Sequence, residues 1–259
     1  MFNKQKIFLT IGLLFFPVVL MANVNKAEII KKLLQSEKIQ KKGLTGNIEI
    51  NMPIMGNQEN MPGTFWTKDG LFKIETTMQI PNQTSPVQST IIFDGKTIWN
   101  DMGNTIIMKT NIDKLPLAIR NKMKNFTSFG LNFEKNINKY YKDINITEET
   151  EKTNKYYVIN IEGQIIKQNI PSNINGRKKI ILWINEKNMF PEKVEMFGPE
   201  GNIEMLVKFT NLSIESIPSS MFTFVPPKNV PVMDMTEMMT NILTGKSQMI
   251  NKSTQTETR

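Results

Sequence analysis

Neither an imidazole base nor a thiol nucleophile is available to this chain, because its 259 residues include no His and no Cys. Serine–histidine triads, cysteine nucleophiles, disulfides and His/Cys zinc sites are thereby excluded, leaving carboxylate, lysine or hydroxyl chemistry, or none. The densest acids, Glu148, Glu149 and Glu151, stand beside Lys152 and Lys155 as at a solvated hairpin tip, not as a facing pair of glycosidase carboxylates. Gly245-Lys246-Ser247 resembles the end of a phosphate-binding loop, but Thr240 occupies the place of the required glycine and no strand leads into it. No G-x-S-x-G, G-x-G-x-x-G, S-x-x-K or D-x-D pattern occurs, so no nucleophile elbow, activating lysine or compact metal pair is on offer. The expectation is a non-enzyme without a metal or cofactor.

Charge points no more strongly to nucleic acid. The net charge is +8, but Lys31-Lys32, Lys41-Lys42 and Arg177-Lys178-Lys179 each have acids nearby and no interleaved aromatics, which reads as solvated surface. The apolar inventory is more telling. Eighteen Met and fifteen Phe supply a soft interior, since Met has three rotatable bonds and fills irregular spaces.

Among the elements that must position these side chains, the first 22 residues read as a leader. Lys4 and Lys6 precede an apolar stretch over 7–21 broken only by Thr10, Gly12 and Pro17, and Ala22 offers a small residue for cleavage. That stretch is shorter than the roughly 20 residues that span a bilayer, so a cleaved secretory signal peptide is expected. The leader carries two lysines and no acids, so its removal lowers the net charge from +8 to +6.

Over 26–42, Ile29, Ile30, Leu33, Leu34 and Ile39 recur at helical spacing, and Gly43 marks the stop. The period then changes to two, with Ile48, Ile50, Met52 and Ile54 alternating with Glu49, Asn51 and Pro53. Strands at 63–67 and 71–80 flank Lys68-Asp69-Gly70, strands at 89–93 and 96–101 flank Asp94-Gly95, and Gly103-Asn104 leads into 105–110, all as sequential antiparallel neighbours. Residues 111–126 read as a second helix, with Leu115, Leu117, Ala118, Ile119, Met123 and Phe126 apolar and Pro116 in an early turn. Strands resume at 144–149, 156–163, 177–185, 191–197 and 203–212, and 165–176 is the longest irregular stretch. About ten or eleven strands and two helices make a mainly β (α+β) domain over 23–234, with an antiparallel sheet long enough to curl on itself. Residues 235–259 are a Met-rich, then polar tail, expected to be disordered, in which Met235, Met238, Met239, Ile242 and Leu243 could share one short helical face.

Three stretches carry a family resemblance. Residues 182–195, from Leu182-Trp183-Ile184-Asn185 to Pro191-Glu192-Lys193-Val194-Glu195, resemble the LW-(I/V)-(D/N)…P-x-(K/R)-(V/I)-E hairpin of the LolA-like periplasmic lipoprotein carriers. Phe222-Thr223-Phe224-Val225-Pro226-Pro227-Lys228-Asn229-Val230 is similar to that family's closing F-x-F-x-P-P-K-G-V, and Asp94-Gly95-Lys96-Thr97-Ile98-Trp99 to its D-G-K-x-(L/I)-W.

The resemblance implies an incomplete antiparallel β-barrel whose concave apolar face is covered by helices and binds lipoprotein acyl chains. It also implies a periplasmic, monomeric shuttle. Its partners would be acylated lipoproteins, an inner-membrane lipoprotein-releasing transporter and, where one exists, an outer-membrane acceptor. Phe65, Phe72, Ile74, Met78, Ile91, Phe93 and Met108 are expected to line the cavity, and Leu115, Ile119 and Met123 to belong to the lid. Lys68 matches the family's basic residue between the second and third strands, which helps hold the helical lid closed, and is the candidate latch. Two other roles remain open: a lipid or lipoprotein sensor of the same fold acting through protein contacts, and an envelope hydrolase, which the missing motifs disfavour.

Overall fold

The computed structural model describes residues 25–40, 42–54, 57–79, 85–103, 105–117, 119–120, 144–162, 179–198 and 200–244. The leader, Met123 and the 165–176 stretch lie outside these. Helix α1 (Lys26–Gln40) opens the described chain and is followed by strands β1 (Leu44–Ile54), β2 (Asn57–Lys68), β3 (Leu71–Met78), β4 (Val87–Phe93), β5 (Thr97–Met102) and β6 (Ile106–Asn111). After a 3-10 turn at Ile112–Lys114 come β7 (Asn145–Glu151), β8 (Asn154–Glu162), β9 (Lys179–Asn185), β10 (Pro191–Phe197) and β11 (Ile203–Ile214). A second 3-10 turn (Ser219–Phe222), β12 (Val232–Asp234) and helix α2 (Thr236–Thr244) complete it. No described helix is long and apolar enough to cross a membrane.

The strands form one open sheet in the order β12-β6-β5-β4-β3-β2-β1-β11-β10-β9-β8-β7. Every neighbouring pair is antiparallel except β12 on β6, which is parallel. This is the incomplete barrel, with twelve strands in place of the expected ten or eleven. The twelfth is β12, whose three residues are too short to show an alternation in the sequence.

Sequential hairpins build the β1–β6 half. Asp69 and Gly70 both take positive φ, 50° and 81°, and so turn β2 tightly into β3, as the Asp-Gly pair requires. Because side chains alternate and partners across a ladder share a face, the register sorts the whole sheet. Phe209, Ile48, Gly63, Thr76, Ser89, Met102 and Ile106 form one row on one face. Gly46, Phe65, Ile74, Ile91, Asn100, Met108 and Met233 form the next, and Leu44, Thr67, Phe72, Phe93, Ile98 and Thr110 the one after. On the far side of β11 the same face continues through Val194, Leu182, Ile159 and Ile146.

Helix α1 covers the far half of this face. Its Ile29, Ile30 and Leu33 are buried with Ile146, Tyr157, Ile159, Ile161, Ile180, Leu182 and Ile184, and buried Ser36 donates from Oγ to the Met189 carbonyl at 3.2 Å. Val194 touches this cluster and a second one built on Leu44, Ile48, Phe65, Phe190 and Phe209, so the core is continuous across the β10–β11–β1 seam. Phe65 and Phe209 meet edge to face with ring centroids 5.2 Å apart, an arrangement that aromatic quadrupoles favour.

The other face is largely polar and is where the recognisable motifs do their structural work. Asp94 accepts at Oδ1 from the backbone N–H groups of Lys96 and Thr97, and at Oδ2 from Trp99 Nε1 at 3.1 Å, which locks the β4–β5 turn. Trp99 then packs on Phe224 at 5.3 Å. In the β9–β10 hairpin, Trp183 Nε1 donates to Glu195 at 3.0 Å, Lys193 Nζ sits 3.5 Å from the Trp183 ring centroid, and Asn185 Nδ2 donates to Glu192 at 2.9 Å.

The expected second helix does not begin at Asn111. Asn111 Oδ1 accepts from the N–H groups of Asp113 and Lys114, closing a 3-10 turn, and Leu115 is extended at φ −70°, ψ 152°. A residue before proline is pushed out of the α region, so the helix restarts at Pro116, whose carbonyl accepts from Ile119 and Arg120.

Gly63 offers a direct test of the sheet. A Cβ there would fall on the Glu75 carbonyl oxygen of β3 and against the Thr76 methyl. Gly63→Ala should therefore lower stability by about 1–3 kcal/mol, the range for an overpacked interior, measured as a reduced urea midpoint at unchanged m-value.

Candidate functional site: the apolar face of β2–β6

Where α1 does not reach, the apolar face of β2–β6 is the candidate site. All seven expected lining residues, Phe65, Phe72, Ile74, Met78, Ile91, Phe93 and Met108, carry the parity of this one face. Phe65 and Phe93 are buried, whereas Phe72, Ile74, Met78, Ile91 and Met108 are half-buried. Met52, Val87, Met102 and Ile106 share the face and are also half-buried, and the sequence reading missed them. Alternation would have found Val87 and Ile106, four positions from Ile91 and two from Met108, whereas Met52 and Met102 lie on strands with no assigned residue and need the cross-strand register.

The rows of β2 from Met61 to Thr67 and of β3 to β6 place no charged side chain on this face. An anion would meet no countercharge from the sheet, so the surface suits neutral apolar groups. The described residues hold no cluster of His, Cys, Asp and Glu suited to a metal ion.

Of the expected lid residues, Leu115 and Ile119 are buried in one cluster with Phe93 and Ile112, and Phe72, Ile98 and Met239 pack against it. Phe72 and Phe93 lie with centroids 5.7 Å apart beneath them. The 112–120 segment therefore caps the end of the face nearest the Asp94-Gly95 turn. Met123 lies outside the described residues. Leu117, by contrast, is 67% exposed and points away from the cluster.

Lys68 makes a different contact from the one expected of a latch. Its Nζ donates to the Ile217 carbonyl at 2.7 Å, on the segment after β11, and not to a helix on the apolar face. Lys68 has the parity of the opposite face, together with Lys73, whose Nζ approaches Met221 Sδ at 3.9 Å. Residues 215–231 thus form a strap across the back of the sheet, with Ile217 and Phe222 buried beneath it. By parity, a side chain at position 68 faces away from Phe72 and Phe93.

The strap ends in β12 and α2, which return the chain to the apolar side. Met235 N–H donates to the Lys109 carbonyl at 2.8 Å, and Asn111 N–H donates to Thr236 Oγ1 at 2.9 Å. Asp234 accepts at Oδ1 from the Thr236 hydroxyl at 2.6 Å and its N–H at 3.0 Å, and lies 3.5 Å from Lys109 Nζ. The hydrogen bonds from Thr236, with Lys109 alongside, hold the Asp234 carboxyl below its ordinary value. Residues 236–244, within the stretch expected to form a tail, are thus helical, and α2 brings Met239 onto the Leu115–Ile119 cluster.

Solved structures similar to this chain share little of its sequence. An uncharacterised conserved protein from Thermus thermophilus aligns with a TM-score of 0.50 at 12% identity, over 80% of this chain and 98% of its own. A LolA superfamily protein from Nitrosomonas europaea aligns at 0.36 and 14% identity, over 77% and 97%. LprF from Mycobacterium bovis aligns at 0.41 and 13% identity, over 79% and 98%. No protein-family model and no curated protein matches the sequence.

Two outcomes test the C-terminal anchorage. A depressed carboxyl contributes stability that is present above its unfolded pKa and is lost as pH falls through the folded value. Protection of the 235–244 amides, relative to their intrinsic exchange rate at each pH, should therefore hold at neutral pH and fall only below the usual carboxylate range. Asp234→Ala should lower that protection at neutral pH by about fivefold, the effect of losing hydrogen bonds to Thr236 worth about 1 kcal/mol.

Proposed function

We propose that this chain, which has the LolA-like incomplete-barrel fold, is a periplasmic carrier that shelters lipoprotein acyl chains on the apolar face of β2–β6 and moves them from the inner to the outer membrane. The observation that carries the reading is the uncharged face running from Phe65 to Met108, half-buried over much of its area and overlaid at one end by Leu115 and Ile119. Each acyl methylene removed from water contributes about 0.8 kcal/mol, so two or three chains supply ample affinity without any bond being made or broken. Release then needs a conformational step that exposes the chains, since binding alone would be too tight for a shuttle. The leader over residues 1–22 fits delivery to the periplasm, where the partners would be acylated lipoproteins, a releasing transporter and an acceptor.

A second reading, a sensor of the same fold, is favoured by the contact of Met239 with the lid cluster, which gives the C-terminal helix a route to report on occupancy. A chain ending at Asp234 separates the two. A carrier without α2 should still transfer lipoprotein, whereas a sensor should lose its response while keeping its ligand.

The deciding experiment is native mass spectrometry of the mature protein isolated gently from the periplasm. A co-purifying acylated protein is the expected result, and a protein that neither carries nor takes up any acylated species would overturn the reading. Ile91→Asp should weaken uptake of a fluorescent acyl probe at least tenfold, because an unpaired carboxylate placed in apolar surroundings costs about several kcal/mol. Gln88→Asp, on the opposite face of the same strand, should leave uptake unchanged.

A further inference from the structure

Three polar side chains stand together on the apolar face where strand alternation would place hydrocarbon. Thr76 on β3 and Ser89 on β4 are direct cross-strand partners, and Asn100 on β5 lies one row away between Ile91 and Met108. Ser89 Oγ donates to Asn100 Oδ1 at 3.3 Å, which leaves the Asn100 Nδ2 hydrogens directed elsewhere. Thr76 is only 8% exposed and Ser89 9%, and the Thr76 methyl is turned toward Gly63.

Among the described residues, neither the Thr76 hydroxyl nor Asn100 Nδ2 makes a hydrogen bond to protein. Nor are these groups sealed in, because Arg120 Nε is the one fully buried side-chain polar atom that lacks a partner among the described residues. Both donors are therefore unpartnered among the described residues without being fully buried. A face that served stability alone would carry Val, Ala and Leu here, since an unused donor in apolar surroundings is costly.

Resting on the acyl-binding reading above, we propose that Thr76, Ser89 and Asn100 form a carbonyl-binding subsite that receives the ester of a glycerol-linked acyl chain, with the hydrocarbon lying over Ile74, Ile91 and Met108. Thr76 Oγ1 and Asn100 Nδ2 are the donors, and Ser89 fixes the Asn100 amide so that its N–H groups point outward. An ester carbonyl accepts hydrogen bonds and bears no charge, which matches two neutral donors on a face without a cation. A carboxylate would be stranded there. Lipoprotein diacylglyceryl groups and phospholipids both carry such esters.

Competition native mass spectrometry on the mature chain tests this with two ester/diether pairs of matched chain length, a diacylglyceryl-cysteine peptide and phosphatidylglycerol. The expected result is a preference of about tenfold for ester over ether, abolished in Thr76→Val and in the double variant Ser89→Ala with Asn100→Leu. Preference within the cysteine-peptide pair assigns the subsite to lipoprotein, and preference within the phospholipid pair alone assigns it to phospholipid. Equal binding of ester and ether by the unmodified protein would overturn the subsite and leave the acyl-binding reading standing. Failure of both lipid classes to bind would overturn both. Thr76→Val should melt no lower than the parent, because it removes an unused polar group without changing shape, and the comparison on the unmodified protein decides the matter if the double variant does not fold.

Discussion

Cross-strand parity is the constraint on which the rest of this protein depends. From β11 through β6 each strand hands its register to the next, so the fate of every side chain follows from whether its position matches Ile48, Phe65 and Ile74 or their neighbours. A one-residue slip at the β2–β3 turn, carried on through β4 and β5, would move Phe72 and Phe93 to the strap side and bring Lys73 and Trp99 under the lid. The tight turns prevent this. Asp69-Gly70 accepts only a two-residue reversal, and the three hydrogen bonds accepted by Asp94 fix the β4–β5 turn and the first residues of β5 at once.

The same parity divides labour between the two faces. Apolar side chains on one face build a solid core beneath α1 and a more open surface at β2–β6, while aromatic and charged pairs on the other stiffen the hairpins. The strap after β11 belongs to the second group. It joins the β2–β3 turn through Lys68, packs Phe224 on Trp99 and buries Phe222, so the far end of the chain is tied to the back of the strands whose front forms the candidate site. The sequence motifs that most resemble the lipoprotein carriers lie mainly in these back-face locks, which maintain the sheet and stand away from the candidate site.

Alternation was legible in the sequence because Ile, Phe and Met at every second position leave a strong period of two, and Asp-Gly pairs mark where it reverses. The amphipathic α1 was legible for the corresponding reason at a period of 3.6. Other features leave no such trace. The three residues of β12 are recruited by the β6 edge and not by their own pattern, and the restriction that Pro116 imposes on Leu115 looks, in a periodicity reading, like a tolerated early-turn proline. The partner of Lys68 depends on a contact with Ile217, far along the chain, which spacing cannot show. Thr76, Ser89 and Asn100 are polar letters in apolar columns, and in a one-dimensional reading they merely weaken the strands that hold them.

The parallel pairing of β12 with β6 makes the two ends of the sheet unlike. At one end the chain's own C-terminal segment occupies the outer hydrogen-bonding positions of β6 through Val232, Met233 and Asp234. At the other, β7 ends the strand order and carries Glu148, Glu149 and Glu151. Two molecules meeting β7 to β7 would bring carboxylates against carboxylates, and β6 is already taken, so edge-to-edge growth into a larger sheet is opposed at both ends by different means. An exposed sheet edge is a template for strand pairing, and the two ends counter it differently, with carboxylates along β7 and a parallel strand of only three residues over β6.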